Sequence, residues 1–134
     1  FIGRLSNVIS INGGVQLDLM GQENAESAGT RQLSGVGGQM DFLEGAFRSK
    51  GGKGFICINS SRVTKDGERK SNIVAAIPSG STVSAPRTMI DCVATEYGVV
   101  RLMGKSLRER AEAMASIAHP DFREELMKYA REHF

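Results

Sequence analysis

Gly54-Phe55-Ile56-Cys57-Ile58-Asn59 reads as a buried strand, a short apolar run set off by the Gly51-Gly52 break before it. Val8 to Ile11 and Val15 to Met20 also have strand character, with Val15, Leu17 and Leu19 alternating. Asn12-Gly13-Gly14 between them predicts a tight turn, and so a hairpin. Asn72 to Ile77 is a further apolar strand ended by Pro78, while Thr82 to Ser84 and Cys92 to Thr95 complete the strand set. Lys65-Asp66-Gly67-Glu68 is a turn. Asp41 to Phe47 predicts a short helix with Asp41 near its start. The end of the chain is helical. Ser106-Leu107-Arg108-Glu109 is a capping-box pattern, followed by an apolar stripe of Leu107, Ala111, Met114, Ala115 and Ala118. His119-Pro120-Asp121 restarts the chain with Pro120 at a first helical position, and Phe122, Leu126 and Tyr129 or Ala130 form a second stripe. Strands mixed with helices predict a single α/β domain, with a mixed β-sheet and the two C-terminal helices packed on one side of it.

The chain has 134 residues, enough for one domain that buries roughly two-thirds of its unfolded surface. Its hydrophobic fraction of 40% and charged fraction of 24% are those of a globular protein. No apolar run approaches the ~20 residues needed to span a bilayer. No basic-then-apolar leader opens the chain, so a cytoplasmic protein is expected, without membrane contact. The start on Phe1 predicts a piece of a longer polypeptide. Cys57 and Cys92 both lie in apolar stretches and are expected as buried free thiols. His119 and His133 are far from either cysteine in sequence, so no metal site is expected.

The net charge of +2 is too small to imply nucleic acid. Its distribution is uneven. Residues 48 to 70 carry Arg48, Lys50, Lys53, Arg62, Lys65, Arg69 and Lys70 against only Asp66 and Glu68. On charge alone this block is a solvated edge. Beside a glycine-rich segment it is also a docking surface for a phosphate-bearing ligand.

That segment is Ser34-Gly35-Val36-Gly37-Gly38-Gln39-Met40-Asp41-Phe42, which follows a long small and polar stretch from Gly21, read as a ligand-shaping loop. Amides of Gly37, Gly38 and Gln39 can converge on an anion, a phosphate or the oxyanion of a thioester under attack; a plain tight turn before a helix is the alternative. Glu96 follows an apolar strand, where open α/β sheets place their crevices. Such a carboxylate orients substrate or acts as acid/base, or else simply pairs with an arginine. Lys65 can neutralise a phosphate, although a lysine in an Asp-Gly turn is ordinarily solvated. No Gly-x-Ser-x-Gly elbow, Walker loop or dinucleotide fingerprint is present.

Gly21-Gln22-Glu23-Asn24-Ala25-Glu26-Ser27, the glycine run and Ala94-Thr95-Glu96-Tyr97-Gly98 occur in this order. So do Ile11 to Asp18, Gly104 to Ala111 and His119 to Arg123. Together these blocks resemble the C-terminal domain of the acetyl-CoA hydrolase/transferase family, and within it the 4-hydroxybutyrate CoA-transferases. The resemblance spans nearly the whole chain and implies the fold of the glucosamine-6-phosphate isomerase and CoA-transferase group. It implies a ping-pong exchange between acyl-CoA and a small carboxylate through a glutamyl-CoA thioester. CoA is then a substrate, no bound cofactor is required, and a homodimer would be unsurprising. The family's nucleophilic glutamate lies upstream of these blocks, and none of Glu23, Glu26, Glu44 or Glu96 matches its motif. An upstream domain of the same protein is therefore the implied partner, and hydrolysis or ligand binding without turnover are the alternatives. Position by position, Gly38 matches an oxyanion-hole glycine and Glu96 a supporting carboxylate. Val15, Gly38 and Lys65 match CoA-contacting positions, with Gly37 and Gln39 beside Gly38; Ser34 falls where a relative has a CoA-contacting asparagine.

Overall fold

A computed structural model describes residues 1–134. After a 3-10 turn at Ile2–Arg4, the elements are β1 (Ile9–Gly13), β2 (Gln16–Asp18), β3 (Glu23–Asn24), β4 (Ser27–Ala28) and β5 (Arg31–Gln32). Helix α1 (Gln39–Arg48) follows, then β6 (Lys53–Cys57), β7 (Ser61–Val63), β8 (Arg69–Ser71) and β9 (Ile73–Val74). The chain ends with β10 (Cys92–Thr95), β11 (Gly98–Arg101), α2 (Leu107–Ser116) and α3 (Pro120–His133). The fold is α/β with a mixed sheet, as the sequence predicts.

The main sheet has the order β1-β6-β10-β11, with β1, β6 and β10 parallel and β11 antiparallel to β10. A second sheet has the order β3-β2-β9, and β4-β5 and β7-β8 are separate antiparallel pairs. Register sorts the main sheet into two unlike faces. Ser10, Gly54, Ile56 and Val93 share one face and are buried. Leu43 of α1 covers Gly54, and the Thr95 hydroxyl donates to the Ile117 carbonyl just past α2, 2.7 Å away. On the other face Ile9, Ile11 and Val99 stand exposed, with Phe55 only half-buried between them. Parallel sheets are ordinarily covered on both faces. Here one apolar face is open.

Several expectations change. The hairpin between Val8–Ile11 and Val15–Met20 does not form: β1 pairs with β6 in one sheet and β2 with β3 and β9 in another. A two-residue hairpin needs left-handed residues, and Asn12, Gly13 and Gly14 adopt none, so the chain runs on from sheet to sheet. The stretch from Gly21 contains β3, β4 and β5, with Glu23 and Asn24 fully buried, because β3 completes the second sheet. Thr82–Ser84 forms no strand; only Ala85 makes an isolated bridge to Glu23. Asn72–Ile77 keeps just Ile73–Val74 as β9, and β11 was not foreseen. Cys92 is buried but Cys57 is exposed: both stand on the open face, and Cys57 lies at the very end of β6 where the chain leaves the sheet.

Helix α2 starts at the predicted capping box: the Glu109 amide donates to Ser106 Oγ at 3.3 Å, and the Ser106 amide to Glu109 Oε2 at 2.7 Å. Ala111, Met114, Ala115 and Ala118 are fully buried, while Leu107 at the helix start is largely exposed. Of the two C-terminal helices, only α2 lies on the sheet. Helix α3 packs on α2 instead, and its Phe122, Leu126 and Tyr129 line a groove with Ile73 and Val74 of the second sheet. Arg110 clamps the assembly from α2. Its guanidinium is buried, and it donates to the carbonyls of Met20 at 2.8 Å, Leu102 at 3.1 Å and Arg87 at 2.7 Å. Burial pulls its pKa below the usual arginine value, which marks how fully it is removed from water.

Replacing Arg110 by alanine should leave those carbonyls without a donor and cost about 3 kcal/mol, a fall of roughly 10 °C in thermal midpoint. Arg108→Ala, which removes only the exposed pair with Glu112, should cost no more than about 0.5 kcal/mol. Equal midpoints for the two variants in thermal denaturation would refute the clamp.

Candidate active site

The parallel strands β1, β6 and β10 release the chain at one edge, and a cleft opens there. Gly14, Cys57, Ile58, Asn59, Ala94 and Thr95 line it, with a volume of about 460 Å³. Crevices at the carboxyl ends of parallel strands are the usual ligand sites of such sheets. Glu96 stands at the same edge, directly after β10. Its Oε2 accepts from the Ser60 amide at 2.9 Å and its Oε1 from the Ser60 hydroxyl at 2.6 Å. Glu96 is exposed, and the little burial it has would by itself raise its pKa. The Ser60 hydrogen bonds, its own backbone and the nearby His119 outweigh that, and hold the carboxyl below its ordinary range. Glu96 is thus a fixed, ionised acceptor rather than an arginine partner. The His119 ring meets Tyr97 edge-on, 5.7 Å between centroids, and Arg123 lies 5.0 Å from the Tyr97 ring centre.

The glycine loop is a different kind of surface. Residues 31–38 are all exposed. Gly37 takes φ +59°, which only glycine adopts without strain. Gly38 is the N-cap of α1 at φ −97°, and no side chain caps the helix. The amides from Gly35 to Asp41 donate to no acceptor within the chain. Such a row of free N–H groups at a helix start attracts anions. At Gly38 a built Cβ would touch nothing nearer than the Phe42 ring at 3.7 Å, so this chain itself has room for a side chain there.

Glu23 links loop and cleft. The side chain is fully buried, and its Oε2 accepts from Gln39 Nε2 at 2.5 Å. Its Oε1 has no partner. A Cβ built on Gly14 would stand 2.6 Å from that oxygen, so only glycine permits the approach. Burial pushes the carboxyl up to about 7, even though the Gln39 hydrogen bond pulls the other way. Val15, half-buried beside Gly14, donates its amide to the Asn24 carbonyl at 2.9 Å. Asn24 anchors the turn behind it, its Oδ1 accepting from the amides of Glu26 at 3.1 Å and Ser27 at 3.0 Å.

Of the residues singled out by sequence, Gly14 and Glu23 tie Val15 and the Gly37–Gln39 turn to the cleft beside Glu96. Lys65 is not brought in. It sits exposed at the tip of the β7-β8 arm, roughly 10 Å along from its base at Ser60–Ser61. The same arm carries Arg62, Arg69 and Lys70, while Arg48, Lys50 and Lys53 of the basic block lie apart at the end of α1 and the start of β6. Ser34 is exposed, its hydroxyl directed only to the Gly35 carbonyl. Sequence reasoning missed Ser60 and His119 as partners of Glu96, and Gly14 and Glu23 as the hinge between loop and cleft. Only Glu23 carried a signal, as an acidic residue inside Gly21-Gln22-Glu23-Asn24.

The model of the acetyl-CoA hydrolase/transferase C-terminal domain matches residues 1–130. The chain is 50% identical over 128 residues to the 4-hydroxybutyrate coenzyme A transferase of Clostridium kluyveri, covering 96% of this chain and 29% of that protein. It is 46% identical over 129 residues to the butyryl-CoA:acetate CoA-transferase of Anaerostipes caccae, covering 96% of this chain and again 29% of the relative. The crystal structure of RipA from Yersinia pestis superimposes with a TM-score of 0.85 at 40% identity, covering 98% of this chain and 29% of RipA. The chain therefore spans under a third of the length of these proteins. A sheet-edge cleft, a row of free amides and a pinned glutamate occur in a sequence matched almost end to end by one domain model, and the chain belongs to the acetyl-CoA hydrolase/transferase C-terminal domain family.

Proposed function

We propose that this chain is the C-terminal part of a CoA-transferase that moves CoA between an acyl-CoA and a small carboxylate of the acetate, butyrate or 4-hydroxybutyrate type. The observation that carries the reading is the free-amide turn at Gly37-Gly38-Gln39, where Gly38 leaves space that the chain does not fill. A thioester under attack develops a tetrahedral oxyanion, and preorganised amides are the donors it requires. The Gly38 amide supplies that hydrogen bond, with Gly37 and Gln39 beside it, while Val15 and the Lys65 arm contact CoA. Glu96, kept ionised by Ser60, orients the substrate and supports the nucleophile.

The nucleophile is a glutamate of an upstream domain, which forms the glutamyl-CoA thioester and returns CoA to the acceptor carboxylate. No bound cofactor takes part. Two facts support an upstream partner: the relatives are more than three times as long as this chain, and an apolar sheet face bearing Ile9, Ile11 and Val99 stands open. Covering it would also exclude water from the acyl-enzyme, which favours transfer over hydrolysis.

Acyl-CoA:acetate exchange by the full-length protein, with hydroxylamine or borohydride trapping of the enzyme-CoA thioester, tests the reading. Exchange with a trapped glutamate upstream of Phe1 is expected; release of free CoA without exchange would make the protein a hydrolase, and neither would leave a binding domain. Gly38→Val, which keeps the amide but fills the space beside it and displaces the reacting group, should lower kcat about 10²-fold while costing about 1 kcal/mol of stability at the N-cap. Turnover that survives the substitution would remove Gly38 from the oxyanion site. Lys65→Ala should weaken CoA binding several-fold in a salt-sensitive titration, and an unchanged affinity would exclude the arm.

A further inference from the structure

We infer that Glu23 is a positioning residue whose side-chain carboxyl accepts from Gln39 and thereby fixes the Gly37–Gln39 turn against the cleft. The inference rests on the CoA-transfer reading and adds a residue to it. The turn has little else to hold it. Residues 33–38 are exposed, and Gly35 and Gly37 have no atom within 4 Å of a built Cβ. The loop is fastened at its two ends. Upstream, the amides of Leu33 and Ser34 donate to the Glu26 carbonyl at 2.7 and 3.2 Å. Downstream, the Gln39 side chain donates to Glu23. Glu23 in turn is immobile: its amide donates to the Ala85 carbonyl at 3.0 Å and its carbonyl accepts from Ser84 at 2.7 Å.

Geometry favours the protonated form. Oε1 is enclosed without a partner, and no Lys, Arg or His comes within ion-pairing distance of the carboxyl. On the elements around it, Asp18 of β2 is held by Gln22, Asp41 of α1 is exposed, and Glu44 pairs with Arg48 at 2.7 Å. Arg87, beyond Ala85, is exposed and directed at the Met20 sulfur. Ionising Glu23 places a charge in a dry site at a cost, while the Gln39 donor favours the ionised form and stays bonded to it. A folded-state value near 7 puts the change within the working range of an enzyme.

The sign for stability follows. Between the ordinary carboxyl value of 4.5 and about 7, the folded protein binds more protons at Glu23 than the unfolded chain. Glu23 therefore costs stability progressively as pH rises through that window, and the cost is constant above it.

The test uses E23Q, E23A, Q39A and the E23A/Q39A double variant of the full-length protein. E23Q, which also accepts from Gln39, should keep kcat within about twofold of wild type on both sides of pH 7, with KM for acyl-CoA unchanged. E23A and Q39A should each lose about tenfold or more in kcat, and the double variant should be no worse than the poorer single, the signature of one shared interaction. Additive losses, or an E23Q variant as poor as E23A, would overturn the inference. Two readouts do not depend on activity: the Gln39 side-chain amide resonance should titrate near 7 in wild type and not in E23Q, and E23Q should raise the thermal midpoint at pH 8 more than at pH 5. A wild-type protein that exchanges no CoA would defeat the functional reading, while these two measurements would still decide the role of Glu23. If E23A does not fold, Q39A and E23Q carry the test.

Discussion

The close approach of Glu23 to Gly14 is the contact on which the site depends. A main sheet and a second sheet must meet where the chain passes from β1 to β2, and any side chain at residue 14 would collide with the Glu23 carboxyl and with Ile58. Without one, β3 sits directly behind the cleft floor. Glu23 can then reach Gln39, and the start of α1 is tied to the carboxyl edge of the parallel strands. Two sheets, one helix start and one cleft are registered by a missing methyl group.

Two carboxylates near that edge are placed in opposite surroundings. Glu96 has lost some water but gained two donors from Ser60, and His119 lies near it; it stays ionised. Glu23 has lost its water and gained one amide donor, and its pKa rises to about 7. Solvation loss is common to both. What separates them is the supply of hydrogen bonds and positive charge, and environments that push paired carboxyls apart are how one fold assigns different tasks to one residue type.

The remaining features are arranged around this edge. The β7-β8 arm carries Arg62, Lys65, Arg69 and Lys70 and starts from Ser60, the residue that pins Glu96. An arm with Lys65 at its tip suits a long, phosphate-bearing ligand better than a compact one, because it reaches away from the cleft. Arg110 does the corresponding structural work at a distance, holding the loops at Met20, Arg87 and Leu102 so that β2 and β10 keep their relation.

The sequence by itself determined the local elements and the family. Capping at Ser106, Pro120 at the start of α3, the helix after Gly38 and the strands at Gly54 and Cys92 are written in nearby residues, because caps, turns and apolar periodicity act over a few positions. The blocks around the glycine run and Glu96 carried the resemblance. Which strands pair was not local. Asn12-Gly13-Gly14 has hairpin composition, yet β1 gains more by joining β6 across the intervening helix, and composition does not record that choice. Register puts Cys57 and Cys92 on the same open face, a facing that a one-residue shift would reverse. Tertiary structure alone decided that Ser60 holds Glu96, that Gly14 yields to Glu23 and that Glu23 fastens Gln39. Each contact joins residues remote in sequence, and each depends on distance and loss of water, which exist only once the chain has packed.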